Sequence, residues 1–186
     1  INATQSNALY SDNRVKLGVM AFNCSHGSTV TNVAEAWTMT WEDNLALARM
    51  ADWAGMEALL PVGRWKGYGG ESNFNNRTFE SLTWAAAVAA VTNYSTIFST
   101  VHAPVIHPVA AAKMAATIDH VSNGRFALNL VAGWFQDEFD MFGVNLAPHD
   151  ERYDYAAEWL TLVKRLWREE DTFDFDGKYF QGQGLW

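Results

Sequence analysis

The sequence is short of cysteine, of positive charge and of long apolar runs. Cys24 is its single cysteine, so no disulfide can form within the chain, and a cytoplasmic location is expected. The 13 lysines and arginines face 21 aspartates and glutamates, which gives a formal net charge of -8. Nucleic acids need a basic face and anionic membranes repel acidic proteins, so we expect neither partner. No apolar run approaches the roughly 20 residues that span a bilayer.

Aromatic and other apolar residues are plentiful. Nine Trp, eleven Phe and a 49% hydrophobic fraction exclude a disordered chain and indicate a sizeable core. The length of 186 residues suits one domain or part of one. We expect a single domain over residues 1–186, with residues 1–13 flexible. Because the chain starts without Met and stops at "GQGLW", we expect it to be a piece of a longer protein.

Short apolar runs alternate with helical patterns along the chain. Strands are predicted over residues 15–22, 57–62, 95–101 and 125–131. Helices are predicted after each strand, with Thr40 and Thr78 as caps of the first two, Pro108 in the first turn of the third, and residues 152–169 as the fourth. The first helix has an apolar stripe of Trp41, Leu45, Ala48 and Ala51. The stretch "TFDFDGKYF" predicts a hairpin that turns at Asp176 and Gly177.

This order of strands and helices predicts an α/β fold with right-handed crossovers and a parallel sheet. Two closures compete, a doubly wound open sheet and a (β/α)8 TIM barrel, which typically needs about 250 residues. Four strand–helix units in 186 residues favour roughly the N-terminal half of a barrel.

In either closure, ligands bind at the carboxyl ends of the strands. The polar and aromatic residues expected there are Asn23, Cys24 and His26 after the first strand, Gly63, Arg64, Trp65 and Lys66 after the second, His102 and His107 after the third, and Gly133, Trp134, Asp137 and Glu138 after the fourth. No HExxH motif or Cys/His cluster is present, so no metal site is predicted. Cys24 with His26 could act as a nucleophile, but a lone cysteine is more often a small core residue.

The glycine-rich stretch "PVGRWKGYGG" at residues 61–70 follows the second strand. It lacks the Lys-Ser/Thr ending of a Walker loop, and it does not open a helix as a dinucleotide-binding loop does. It is therefore either a flexible surface loop or a loop that lays Arg64 and Trp65 over a bound ring.

Several longer motifs occur together in one order. The stretches "RWKGYGG", "HPVAAAKMAATIDHVSNGRFALNLVAGW", "ERYDYAAEWLTLVKRLW" and "FDGKYF" resemble those of bacterial luciferase-like, flavin-dependent monooxygenases over roughly residues 15–182. The pyrimidine, alkanesulfonate and dimethyl sulfone monooxygenase branches are the most similar. The resemblance implies a luciferase-like TIM barrel that uses reduced FMN and O2, a separate NAD(P)H-dependent flavin reductase, a small organic substrate and a homo-oligomer.

The resemblance also assigns roles to individual residues. It implies cofactor contacts for Gly63, Arg64, Asn129, Glu138, Arg152 and Tyr153. We predict His102 and Asn23 to be catalytic. We predict Trp65, Cys24 and Trp134 to contact the substrate.

A few residues indicate which substrate class the protein uses. The stretches "AFNCSHG" and "VGRWKGYGG" resemble the sulfone branch, and His102 stands where the pyrimidine branch has a small residue. An organosulfur substrate such as a sulfone or sulfonate is therefore favoured. The alternatives are oxygenation of a pyrimidine or other nitrogen heterocycle, a non-catalytic flavin-binding protein and a deazaflavin-dependent dehydrogenase.

Overall fold

The computed structural model describes residues 7–186 and contains two compact units. The first unit comprises the described residues up to Thr100 together with Thr117–Asn129, and the second comprises Val101–Ala116 and Leu130–Trp186. Of the stretch predicted to be flexible, residues 1–6 lie outside the described residues. The rest of that stretch includes a 3-10 turn at Ala8–Tyr10, which Asn7 caps by accepting a hydrogen bond from the Leu9 N–H.

The helices and strands alternate in the predicted order. The strands are β1 (Gly18–Met20), β2 (Ala58–Leu60), β3 (Thr96–His102), β4 (Phe126–Val131), β5 (Phe173–Asp176) and β6 (Gln181–Leu185). The helices are α1 (Trp41–Trp53), α2 (Ser81–Ala89), α3 (Pro108–Ser122), α4 (Gln136–Asp140) and α5 (His149–Arg168). One sheet has the order β1-β2-β3-β4, and β2 pairs in parallel with both β1 and β3. The predicted α/β order and parallel sheet are therefore confirmed.

Strand β1 is shorter than the sequence pattern indicates. It covers only Gly18–Met20, and Val15 and Leu17 on its amino side are exposed. Gly18 pairs with Ala58, and a Cβ at Gly18 would lie 2.8 Å from the Ala58 carbonyl oxygen. A glycine is therefore needed for β1 to approach β2 this closely.

Helix α1 begins as predicted, because the Thr40 hydroxyl accepts a hydrogen bond from the Asp43 N–H at 3.1 Å. The predicted apolar stripe is partly wrong. Trp41 is 39% exposed, whereas Asn44 is fully buried. Asn44 is satisfied there because its side-chain oxygen accepts a hydrogen bond from the Trp84 indole N–H at 2.9 Å.

Helix α2 has a different cap from the one predicted. Glu80, not Thr78, caps it, and its carboxylate accepts hydrogen bonds from the N–H groups of Leu82 and Thr83. Thr78 instead pairs with Cys24 in an isolated antiparallel bridge. A carboxylate with two oxygens also suits the positive end of the helix dipole, so Glu80 satisfies two N–H donors at once.

In the second unit, α5 holds the hairpin of β5 and β6. The predicted hairpin is confirmed, and its strands are antiparallel. The Glu158 carboxylate on α5 accepts hydrogen bonds from the backbone N–H groups of Lys178, Tyr179 and Phe180 in the turn. Trp159 and Leu162 on α5 are buried. The hairpin is thus anchored to α5 by one side chain that satisfies its turn.

Two charged side chains of the first unit, Arg125 and Asp52, lie at the amino ends of the strands, and we call them the amino-end clamp. Arg125 precedes β4, is 5% exposed and donates five hydrogen bonds, to the carbonyl oxygens of Ala89, Thr92, Ser95 and Ser122 and to the Thr92 hydroxyl. Burial lowers the pKa of the Arg125 guanidinium, and the Asp52 carboxylate opposes that shift. Asp52 accepts hydrogen bonds from the N–H groups of residues 93–95, directly before β3.

Because of Asp52, the amino-end clamp makes the stability of the fold depend on pH in the acidic range. Burial acts to raise the pKa of Asp52, but the N–H donors of Ser95, Asn93 and Tyr94 outweigh it and hold the pKa below its ordinary value. A carboxylate with a lowered folded-state pKa stabilises the fold above its unfolded-state pKa of about 3.9, and loses that contribution as the pH falls through the folded-state pKa.

We expect Asp52→Asn to lower the free energy of unfolding at pH 7 by about 1–3 kcal/mol, since one oxygen acceptor becomes a donor that faces N–H groups. As the pH is lowered from 4, the variant should also lose less of its free energy of unfolding than the wild type does. Urea unfolding across this range measures both effects. Equal acid sensitivity of the two proteins would contradict the assignment.

Candidate functional site

In the first unit, Asn23 ties together the loops that follow β1 and β2. Its side chain is fully buried, and its amide nitrogen donates to the carbonyl oxygens of Val62 and Phe79. Its amide oxygen accepts from the Val62 N–H at 2.8 Å. Asn23 thereby fixes the backbone directly before Gly63 and Arg64. Its predicted catalytic role stays a prediction.

Cys24 is a packed thiol in the same loop. It is fully buried, its sulfur donates to the Ala21 carbonyl oxygen at 3.0 Å, and Asn75 donates to it at 3.1 Å. Burial raises the pKa of the Cys24 thiol to about 11, against smaller opposing effects of the Arg64 charge and the Asn75 hydrogen bond. The thiol is therefore protonated at neutral pH, which disfavours the nucleophile interpretation. Its predicted contact with substrate stays a prediction.

We expect Cys24 in the native protein to react with a thiol reagent such as DTNB at pH 8 roughly a hundredfold or more slowly than in the unfolded protein. Both the burial and the raised pKa of the thiol suppress the reactive thiolate. The time course of thionitrobenzoate release, with and without guanidinium chloride, measures the ratio. Equal rates would show that the loop after β1 opens readily.

The loop "PVGRWKGYGG" is folded on itself. Arg64 is 8% exposed, its Nη2 donates to the Tyr68 hydroxyl at 2.5 Å, and its guanidinium carbon lies 4.4 Å from the Tyr68 ring centroid. Tyr68 in turn stacks on Phe74 with ring centroids 5.5 Å apart. Gly69 and Gly70 have φ of +73° and +71°, which glycine adopts without strain. Arg64 is thus held by an aromatic stack, and Trp65 beside it is half-buried.

Asn129 lies on β4, also in the first unit. Its amide nitrogen donates to the Thr100 hydroxyl at 3.1 Å. Its amide oxygen accepts no hydrogen bond from the described residues. That oxygen is therefore available to accept a hydrogen bond from a ligand.

In the second unit, His102 and Glu138 form a buried pair. The His102 Nε2 lies 3.9 Å from the Glu138 Oε2, and the residues are 5% and 1% exposed. The Phe139 ring meets the imidazole edge-on at 5.8 Å. The sequence pointed to each residue separately but not to the pair. His102 ends β3, and Glu138 lies on the short helix α4, which follows β4 after residues 132–135. The pair thus places a carboxylate oxygen beside an imidazole nitrogen in a site closed to solvent.

Arg152 fixes the loop after β4 within the second unit. Its Nη1 donates to the carbonyl oxygen of Gly133. Gly133 has a φ of +94°, and a Cβ there would overlap the Phe139 ring, so only glycine fits. Next to it, Trp134 is 61% exposed and lies 5.6 Å from the Phe135 ring. Tyr153 is 59% exposed, so its phenol can reach a ligand.

No group of three or more His, Cys, Asp or Glu side chains among residues 7–186 is arranged to hold a metal ion. Within the same range, no helix has both the length and the apolar character that a membrane span requires.

Residues 15–185 match the family described as luciferase-like monooxygenase. Pyrimidine monooxygenase RutA of Pseudomonas savastanoi pv. phaseolicola is 37% identical over 163 residues, which are 86% of this chain and 44% of that protein. The monooxygenase RslO1 from Streptomyces bottropensis has a TM-score of 0.74 at 25% identity, with 92% of this chain and 48% of that chain covered. The EDTA monooxygenase EmoA from Chelativorans sp. BNC1 shares the fold, with a TM-score of 0.78 at 20% identity over 93% of this chain and 47% of that chain.

These comparisons favour the TIM barrel over the doubly wound open sheet. The chain spans about half the length of the curated relatives that it matches. The four parallel strands with their helices accordingly form part of a luciferase-like TIM barrel. From residue 15 to residue 185, the chain belongs to the luciferase-like monooxygenase family.

Proposed function

We propose that this protein is a two-component monooxygenase that uses reduced FMN and O2 to oxygenate a small nitrogen heterocycle of the pyrimidine class. The observation that carries the proposal is the 37% identity to a relative named pyrimidine monooxygenase, within the family match. It replaces the organosulfur substrate that the residues around Cys24 and Arg64 favoured. A separate NAD(P)H-dependent reductase would supply the reduced flavin.

Groups in each unit fit FMN, which offers N–H donors, carbonyl acceptors and a phosphate. In the first unit, the Asn129 amide oxygen can accept from a flavin N–H, and the Arg64 cation can pair with a carbonyl or phosphate oxygen. In the second unit, the exposed Tyr153 phenol and the buried Arg152 Nε, which has no hydrogen-bond partner among the described residues, can both donate. Reduced FMN supplies the electrons that activate oxygen.

The other residues of the two units would support that chemistry. Asn23 holds the backbone before Gly63 in place. His102, with Glu138 behind it, can hold a proton at Nε2 and release it to a reacting group. Trp65 and Trp134 offer aromatic surface for a flat substrate.

A second candidate is the oxygenation of an organosulfur compound. The buried His102 favours an organosulfur substrate, because the pyrimidine branch of the family has a small residue at this position. An imidazole beside a carboxylate would reduce the space for a ring and could pair with a sulfone or sulfonate oxygen.

The intact protein, expressed from its complete reading frame, should be titrated anaerobically with reduced FMN. Oxygen-18 gas and either uracil or dimethyl sulfone are then admitted, and the product is analysed by mass spectrometry. We expect tight flavin binding and a labelled oxygen atom in the uracil product. Label only in the sulfone product would favour the second candidate. Binding without a labelled product would indicate a non-catalytic flavin protein, and preference for a deazaflavin would indicate a dehydrogenase.

We expect Arg64→Ala to weaken binding of reduced FMN roughly tenfold to a hundredfold, since one charge-assisted hydrogen bond is worth about 1.5–3 kcal/mol. Anaerobic fluorescence titration measures the dissociation constant. Arg77→Ala is the matched control, because Arg77 is an exposed arginine in the same inter-strand segment. If both variants bind as the wild type does, the loop after β2 is only a turn.

A further inference from the structure

The connection between β1 and α1, in the first unit, is long for a loop. It runs from residue 21 to residue 40 and contains neither helix nor strand, apart from the isolated bridge of Cys24 with Thr78. Loops longer than about 12–15 residues without secondary structure are uncommon in compact domains, and many of them are active-site lids or binding loops. The length of this connection therefore indicates a role beyond joining two elements.

The first part of the connection is fixed to the segment that precedes α2. The Asn75 side chain is 3% exposed and donates hydrogen bonds to the carbonyl oxygens of Ser25 and Gly27 at 3.0 and 2.9 Å. The Ser25 N–H donates to the Arg77 carbonyl oxygen at 2.8 Å. Because these bonds join parts of the chain that are far apart in sequence, residues 22–27 form a rigid base.

The two ends of the stretch that follows are held close together. The His26 N–H donates to the Trp37 carbonyl oxygen at 2.7 Å, and the Trp37 indole N–H donates to the Phe22 carbonyl oxygen at 2.8 Å. Met39, just beyond, is 5% exposed. The backbone thus leaves the base and returns to it at nearly the same place, as in an Ω-loop. We call residues 28–36, between these anchors, the β1 flap.

The β1 flap itself is loosely held. Each of its residues is exposed or half-buried. Among the described residues, its hydrogen bonds all stay within residues 26–36, such as those from the Thr29 N–H to the His26 carbonyl oxygen and from the Ala36 N–H to the Val33 carbonyl oxygen. A segment with little burial and no hydrogen bonds to the rest of the fold changes conformation at low cost in free energy. The flap can therefore move while its anchors stay in place.

Two valines give the β1 flap an apolar tip. Val30 and Val33 are 71% and 57% exposed, and Glu35 is the one charged residue of the flap. Apolar side chains in water gain free energy when they are buried against another apolar surface. Since β1 and β2 are parallel, the flap follows the same edge of the sheet as the loop that carries Arg64. A flat ring bound at that edge would offer the valines such a surface.

We propose that the β1 flap is a lid that closes over the flavin ring at the carboxyl ends of β1 and β2, with Val30 and Val33 against the ring. The inference rests on the proposed function, because reduced FMN is the ligand that the lid would cover. Closure would exclude water from the reacting groups and slow the release of the flavin. Only residues 28–36 would change conformation, because the base and the far anchor are fixed by hydrogen bonds.

Hydrogen exchange of the intact protein, followed by mass spectrometry with and without saturating reduced FMN under anaerobic conditions, tests the lid. We expect the amides of residues 28–36 to exchange roughly tenfold more slowly when reduced FMN is bound. A double variant, Val30→Ser with Val33→Ser, should lose this protection. It should also release FMN about threefold to tenfold faster, because a ligand that favours the closed state is held less tightly once closure is lost.

The double variant should fold, since both valines are exposed, and circular dichroism checks this. Val15→Ser is the matched control, because Val15 is also 71% exposed but lies on the amino side of β1. It should leave both the protection of the flap and the release rate unchanged. The same exchange of the flap with and without reduced FMN, or wild-type protection and release in the folded double variant, would overturn the proposal.

Oxygenation of uracil, measured on the same samples, separates the lid from the proposed function. If uracil is oxygenated although reduced FMN does not protect the flap, the lid is wrong and the proposed function stands. If reduced FMN protects the flap but no oxygenation occurs, the proposed function is wrong and the lid stands. A protein that binds no reduced FMN would overturn both.

Discussion

Replacing Arg125 by methionine is expected to lower the free energy of unfolding by about 3–5 kcal/mol, the range seen when one partner of a buried polar network is removed. The methionine would fill part of the volume but donate no hydrogen bond. The carbonyl oxygens of Ala89, Thr92 and Ser95 would then lose a donor in a region closed to water. Arg125→Lys should recover only part of the loss, because one ammonium cannot reach all of the carbonyl groups that the guanidinium satisfies.

Urea unfolding followed by circular dichroism measures this loss. Arg49→Met is the matched control, because Arg49 is an exposed arginine on α1, and its replacement should change stability by less than about 0.5 kcal/mol. Similar losses in the two methionine variants would show that the hydrogen bonds of Arg125 contribute little beyond the change in composition.

Replacing His102 by asparagine is expected to lower kcat of the proposed reaction by roughly 10²–10⁴, the usual contribution of a positioned acid or base. Asparagine keeps a polar side chain in the buried site but cannot exchange a proton near neutral pH. Glu138→Gln should lower kcat less, because it keeps the size of the side chain and removes only the charge 3.9 Å from the His102 Nε2.

Stopped-flow turnover across pH, with the dissociation constant of reduced FMN measured in parallel, distinguishes catalysis from binding. A catalytic His102 predicts a large fall in kcat with little change in flavin binding. If His102→Asn instead weakens flavin binding and leaves kcat intact, the pair is part of the cofactor site. If neither changes, His102 is a packing residue.

The sequence predicted the order of the elements well and their detailed contacts less well. The Thr40 cap, the Pro108 start of α3 and the hairpin at Gly177 follow from local chemistry, and the structure confirms them. The cap of α2 could not be chosen by the same rules. Thr78 and Glu80 are both adjacent to the helix, and the backbone pairing of Thr78 with Cys24, far away in sequence, leaves Glu80 as the cap.

In the candidate site too, the sequence predicts the positions of residues better than their contacts. Residue positions at the carboxyl ends of strands follow from the β/α order, which is why His102 and Glu138 were both identified. Their pairing, the stack of Arg64 on Tyr68 and the bond from Arg152 to Gly133 depend on side-chain directions in three dimensions. Periodicity and motif spacing carry no information about those directions, so these contacts were found only in the structure.

The location of the amino-end clamp determines which positions of this protein can be mutated at little risk to folding. Arg125 and Asp52 act ahead of β4 and β3, whereas the loops that offer chemistry follow the opposite ends of the strands. Mutational libraries confined to residues 63–70 would leave both clamp residues untouched. Such libraries can therefore explore new substrates at little risk to folding, and a laboratory evolution campaign should retain Arg125 and Asp52 while varying Trp65 and its neighbours.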